Sequence, residues 1–127
     1  MSSEKVPFLS VIIPVYNEGD QLLNHIQHVF DQIGYDNQVI VVDGGSEHGG
    51  EESNGFYDLK LLAESGINLD LIAAQKSRAI QMNAGAGIAR GENLLFLHAD
   101  TTLPENALKA LQNFSTSKLV WGRFDVR

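Results

Sequence analysis

The chain contains no cysteine, which excludes disulfides, thiolate catalysis and zinc sites built on cysteine. Basic residues are scarce: 9 Lys and Arg stand against 16 Asp and Glu, for a net charge of -7. A nucleic-acid surface needs the opposite balance, so no nucleic-acid partner is expected, although a local basic pocket remains compatible with these numbers. No apolar run approaches the length of a membrane span. The opening residues, "MSSEKVPF", lack the apolar core of a secretory signal. Together with the missing cysteines, this makes a cytoplasmic protein the expectation. Internal repeats and low-complexity segments are missing too. What is present is ordinary for a globular protein, with 43% hydrophobic and 20% charged residues. The 127 residues predict a single domain over 1–127, long enough to bury about two-thirds of its unfolded surface.

Short, continuously apolar runs alternate with helical patterns. Leu9 to Ile13 ("LSVII") predicts a buried strand stopped by Pro14. Leu22, Leu23, Ile26, Phe30 and Ile33 share one helical face, with Asp20 as an N-cap and Gly34 as a stop. Val39 to Val42 predicts a second strand, and the glycine-rich "GGSEHGGEESNG" after Asp43 a loop. A short helix over Leu59 to Glu64, closed by Gly66, leads to a third strand over Leu69 to Ala73. Ser77 can cap a helix reaching about Arg90, ended by Gly91. A fourth strand over Leu94 to Leu97 follows. Pro104 then opens a helix to Phe114, and Leu119 to Arg123 predicts a fifth strand. Strands of this character alternating with helices imply βαβ units, hence an α/β fold with a mostly parallel sheet and helices on both faces.

The polar residues gather after the strands. Tyr16, Asn17 and Glu18 follow the first, Asp43 the second, and His98 and Asp100 the fourth. Open α/β sheets bind ligands beyond the carboxyl ends of their strands, so these residues are expected in one crevice. Nucleotide-cofactor loops do not account for them. "DGGSEHGG" fits neither dinucleotide fingerprint nor P-loop, and "GAGIARG" lies late in a helix instead of after a strand.

Each candidate also has a structural reading. Asp100 can ligate Mg²⁺ or Mn²⁺ alongside substrate phosphates, or it can cap the turn that follows the strand. His98 can be a histidine satisfied by hydrogen bonds at the sheet edge. His25, His28 and His48 are expected in solvent. Asp43 can accept hydrogen bonds from a nucleotide's base or ribose, or form an Asp-Gly turn. Asn17 and Glu18 can cap the first helix. Arg78 can be a surface charge or can meet a diphosphate; it stands in the first turn of its helix, where the dipole disfavours a cation, so a purely dipole-stabilising role is not expected. Asn83 lies about 140° around the helix from Arg78, so one ligand reaches both only if the helix starts later.

Taken together, "LSVIIPVYNEG", "VIVVDGGS", "SRAIQMNAGAGIARGENLLFLHAD" and "WGRFDVR" resemble the family 2 glycosyltransferases over nearly the whole chain. The resemblance implies a Rossmann-like GT-A fold that binds a nucleoside diphosphate-sugar, a UDP-sugar in the first instance, and transfers the sugar to an acceptor with inversion. It implies that Pro14, Tyr16 and Glu18 form the first nucleotide-contacting loop. It further implies that Asp43 recognises base or ribose, and that Arg78 and Asn83 flank the donor. His98 to Asp100 take the place of the family's Asp-x-Asp motif, which makes Asp100 the implied Mg²⁺ or Mn²⁺ ligand.

The chain departs from the pattern at three places. His98 replaces the motif's first Asp, which in the family contacts the ribose. "DGGSEHGG" stands for "DDGSTDGT", so Gly44 and His48 replace two acids. The chain also stops at Arg127, before the acidic residue that serves the family as catalytic base. No catalytic residue is therefore assigned, and Asp125 is not taken as one. The expectation is a truncated, donor-binding portion without the acceptor-binding part. Its uncovered apolar surface would favour a homo-oligomer. The alternative is a catalytically incomplete nucleotide-binding or oligomerising module. A nucleotidyltransferase would require a glycine-rich, Lys- or Arg-bearing loop after the first strand, and "PVYNEG" is not one.

Overall fold

The computed structural model describes residues 6–17, 21–45, 56–99, 101, 103 and 106–114. The predicted fifth strand, the Asp20 cap, His48, Pro104, Glu18 and Asp100 lie outside them. Strands β1 (Leu9–Val15), β2 (Gln38–Asp43), β3 (Leu69–Ala73) and β4 (Asn93–Phe96) alternate with helices α1 (Gln21–Ile33), α2 (Phe56–Glu64), α3 (Arg78–Ile88) and α4 (Ala107–Phe114). The four strands pair in the order β3-β2-β1-β4, all in parallel. Strand order therefore reverses at β1, whose neighbours β2 and β4 leave a crevice beyond its carboxyl end.

The two faces follow from the alternation of side chains along a strand. Val11, Ile13, Val39, Val41 and Leu95 pack with Leu22, Ile26, Phe30, Leu59 and Ala107 of α1, α2 and α4 into one large core. Ile12, Ile40 and Val42 face the other way, against Ala84 and Ala86 of α3. Helices thus cover both faces, as the alternating pattern predicts.

Boundaries move by one to a few residues, and one shift is instructive. β1 runs through Pro14 to Val15 instead of stopping at the proline. Ile12 O accepts from Leu97 N, so even-numbered residues of β1 aim their backbone groups at β4. The β1–β4 pairing ends at Ile12 and Phe96, so Pro14, two residues on, needs no donor on that side. α3 closes at Ile88, short of Arg90, where Ala89 turns to extended backbone. Gly34 ends α1 as expected, with φ +89 and its N–H on Phe30 O at 2.7 Å.

α3 lies unusually near the sheet. A Cβ on Gly85 would stand 2.5 Å from Ile12 Cγ2, and Ile12 is fully buried with a stiff branched side chain. Beyond the helix, a Cβ on Gly91 would meet Leu9 C and Ser10 N at 2.7 Å. A polar network fixes that end: Ser10 Oγ donates to Gln38 Oε1 at 2.6 Å, while Ser10 Oγ and Gln38 Oε1 accept from Gly91 N and Arg90 N at 2.8 Å each.

Two glycines of one helix therefore answer oppositely to alanine. Gly85→Ala should cost about 1–3 kcal/mol through overpacking. At Gly87 an added methyl would meet no atom within 4 Å, so Gly87→Ala should gain up to about 1 kcal/mol. Urea unfolding of both variants measures the difference; equal effects would mean that α3 does not approach β1 so closely.

Candidate functional site

At the carboxyl edge of β1 the chain turns sharply. Asn17 takes φ 53, a left-handed conformation that asparagine tolerates better than other side chains. The turn leaves Tyr16 half-buried and presents it beside the start of α3. Lys76 Nζ stands 4.0 Å from the centroid of the Tyr16 ring, a cation–π contact. Ser77 caps α3 through Ile80 N.

The helix begins at Arg78, so the geometry inferred for its first turns holds. Arg78 projects from the first turn toward His98, with Nη1 and Nε2 3.2 Å apart. A guanidinium only donates, so this contact requires the imidazole to present its lone pair at Nε2 and carry its proton on Nδ1. Arg78, His98, Pro14 and Met82 line one small cavity. A second, of about 270 Å³, is bounded by Pro14, Tyr16, Lys76, Arg78 and Gln81. Two side-chain cations thus stand at one edge of an acidic chain.

Asp43 is buried, 7% exposed, and its Oδ2 accepts from Gly45 N at 3.1 Å. Gly45 has φ +94, so this carboxylate closes an Asp-Gly turn. That structural reading is realised, and it leaves the proposed contact to a nucleotide untouched. Asp43 pairs in register with Val15 and so sits next to the Tyr16 segment. It lines a different cavity, of about 560 Å³, that runs along β3 past Lys60 and Asp70.

The edge accordingly gathers Pro14, Tyr16, Arg78 and His98, with Asp43 one strand away. Asn83 is exposed and lines neither cavity beside Arg78. Glu18 and Asp100 lie outside the described residues, although their neighbours Asn17 and Ala99 belong to the same edge. Among the described residues, no three His, Asp or Glu side chains are grouped to hold a metal ion. No helix among them is long and apolar enough to cross a membrane.

One residue of the edge has no counterpart in the sequence reading. Gln81 is 4% exposed. Its Nε2 donates to Val15 O at 3.0 Å and to Val42 O at 2.8 Å, and its Oε1 accepts from Ser77 N at 3.2 Å. A glutamine in a helix ordinarily signals solvent. The available signal was its spacing, since Ser77, Gln81 and Gly85 follow one another at i+4 on a single face.

Residues 10–127 match the family model described as "Glycosyl transferase family 2". The chain belongs to that family. It is 29% identical over 123 residues to the poly(ribitol-phosphate) beta-N-acetylglucosaminyltransferase TarP of Staphylococcus aureus, covering 93% of this chain and 37% of that protein. With glycosyltransferase GlyG of Streptococcus pneumoniae it shares 29% over 104 residues, 81% of this chain and 33% of the other. The chain therefore spans about a third of the length of the curated relatives it matches. Among solved structures, Staphylococcus aureus TarS 1-349 superposes with a TM-score of 0.65 at 21% identity, over 84% of this chain and 31% of that one. The mannosyltransferase PcManGT from Pyrobaculum calidifontis, in complex with GDP-Man and Mn²⁺, gives 0.62 at 24%, over 80% and 30%. These likenesses show the fold, which is the GT-A arrangement.

The left-handed residue at the edge gives a direct test of the family 2 loop's backbone. Asn17→Val should lower stability by about 1–2 kcal/mol, the cost of a branched side chain in that conformation. Asn17→Gly should stay within about 0.5 kcal/mol of the parent. Thermal unfolding distinguishes them.

Proposed function

We propose that this chain forms a single GT-A-type domain, over 1–127, that binds a nucleoside diphosphate-sugar for transfer to an acceptor hydroxyl with inversion. The observation that carries the reading is the Arg78 guanidinium beside His98 at the carboxyl edge of the sheet, opposite the Pro14–Tyr16 segment. Charge-assisted hydrogen bonds from a guanidinium suit a diphosphate. Lys76 adds a second cation next to it. The Tyr16 ring and the Asp43 carboxylate supply a flat surface and an acceptor for the base and ribose. Glu18 completes the set of donor-side residues, whereas Asn83, exposed on another side of α3, stands at its margin and contributes little.

Asp100 is the residue that would hold Mg²⁺ or Mn²⁺. Its neighbours His98 and Ala99 follow β4 at the edge that carries Arg78, and one carboxylate plus phosphate oxygens forms a donor set suited to these ions. When bound, the ion neutralises charge on the departing diphosphate. The chain's own part is to grip the diphosphate through Arg78 and to orient the nucleoside between Tyr16 and Asp43. The acceptor's oxygen bonds to the anomeric carbon as the diphosphate leaves, and a base takes the hydroxyl proton; no residue of this chain is assigned that step.

The PcManGT complex with GDP-Man and Mn²⁺ supports a sugar nucleotide as the ligand class, and the TarP name supports glycosyl transfer as the reaction. The family resemblance keeps UDP as the first candidate here, with GDP beside it. Calorimetry with UDP and GDP, with and without Mn²⁺, is the test. Binding should need the ion and should weaken about tenfold or more in Arg78→Ala and Asp100→Ala, each removing a charged contact. Asn83→Ala should change affinity by less than about threefold, as expected of a side chain turned away from Arg78. Undiminished binding in Asp100→Ala would remove the metal assignment, and no nucleotide binding at all would remove the function.

Self-association accompanies this reading and has its own support. Ile80 and Ile88 of α3 are each 40% exposed. Sedimentation should show a species larger than a monomer that shrinks in Ile80→Ser/Ile88→Ser; a monomer at all concentrations overturns it.

A further inference from the structure

The segments after β1 and β2 share one anchor. Val15 O accepts from Gly44 N at 3.0 Å and from Gln81 Nε2 at 3.0 Å. The same amide group gives its other hydrogen to Val42 O at 2.8 Å. Its oxygen takes Ser77 N, the amide of the α3 cap. Every polar atom of a buried side chain is thereby used, across separations of 66, 39 and 4 residues. Glutamine alone meets this demand. Glutamate has no donors, methionine has neither donors nor a matching acceptor, and asparagine is one methylene too short.

The position of these bonds separates them from ordinary packing. Elsewhere α3 meets the sheet through Ala84, Ala86 and Gly85. A polar group enters that interface where the strands run out and the chain leaves for Tyr16 on one side and Asp43 on the other. Gly44 is fitted to it: a Cβ there would lie 3.0 Å from the Gln81 amide carbon, nitrogen and oxygen alike. The glycine that stands where the family pattern has an acid is thus matched by the amide beneath it.

We propose that Gln81 is the positioning residue of this edge. From below, it locks the Tyr16 segment, the Asp43–Gly45 turn and the first turn of α3 into one unit, so the affinity of the edge for its ligand depends on it. Naming that ligand as a nucleoside diphosphate rests on the reading of the preceding subsection; the locking itself does not.

Gln81→Met keeps length and volume while removing both donors, and Gly44→Ala disturbs the same contact from the other side. Amide hydrogen exchange of the ligand-free chain is read at Gly44, Gly45 and Asn17, with Ile12 and Val41 as references in the core. In Gln81→Met, exchange at the three edge amides should rise about tenfold or more, with the references unchanged. Gly44→Ala should raise it in the Gln81 background and add nothing in Gln81→Met, because the two changes break one contact. The Kd for UDP or GDP with Mn²⁺ should rise by about tenfold in Gln81→Met. Uniform acceleration at edge and core would reduce Gln81 to a general stabilising residue and overturn the proposal, as would additivity of the two substitutions. If the parent chain binds no nucleotide, the functional reading falls while the exchange result still decides the role of Gln81.

Discussion

The approach of α3 to β1 and β2 is the constraint on which the rest of the edge depends. It is possible because Gly85 has no side chain where Ile12 lies. With the helix that near, its first turn reaches over the ends of both strands. A one-turn displacement would carry Arg78 away from His98 and lift the Gln81 amide out of reach of Val15 and Val42. The helix is also fixed beyond its other end. There Gln38, wholly buried, accepts from Arg90 N and donates to Asp70 Oδ2 at 2.8 Å. Two buried glutamines, one on the sheet and one on the helix, thus oppose any sliding along the helix axis. Each is nearly fully satisfied, which is what makes a buried amide tolerable in such an interface.

The electrostatics of the edge run against those of the chain. With a net charge of -7, the protein repels anions at a distance, yet Arg78 and Lys76 converge beside Pro14 and Tyr16. His98 sharpens this contrast. The pattern of the family has an acid at that position, which would offset the guanidinium; the imidazole beside Arg78 brings no negative charge. Charge is released toward whatever occupies the cavity.

Much of the fold was legible because apolar pattern and turn chemistry agree. Four strands and four helices fall where their runs predict, and Gly34 and Gly66 take the left-handed conformations that end helices. Pro14 misled because a proline's cost depends on which side of the strand its missing N–H would face. That is a property of the neighbouring strand's length. The separation of Arg78 from Asn83 followed from helical geometry alone. Gln81 and Gln38 were invisible for one reason: polarity in sequence implies solvent, and only the assembled neighbours show that a buried amide is satisfied. Asp43 was legible as a turn former, and its burial came from register with Val15, which no local pattern encodes.

Gln81 binds carbonyls that lie 66 and 39 residues away in the chain. Bonds of that span cannot form in a partly ordered segment, because the entropy of closing such loops is offset only by the collective gain of the packed sheet. The edge therefore has no autonomous folding unit behind it. It cannot form ahead of the sheet, although it can open while the sheet stands, and any lesion that loosens α3, however distant from the cavity, registers there as a loss of shape.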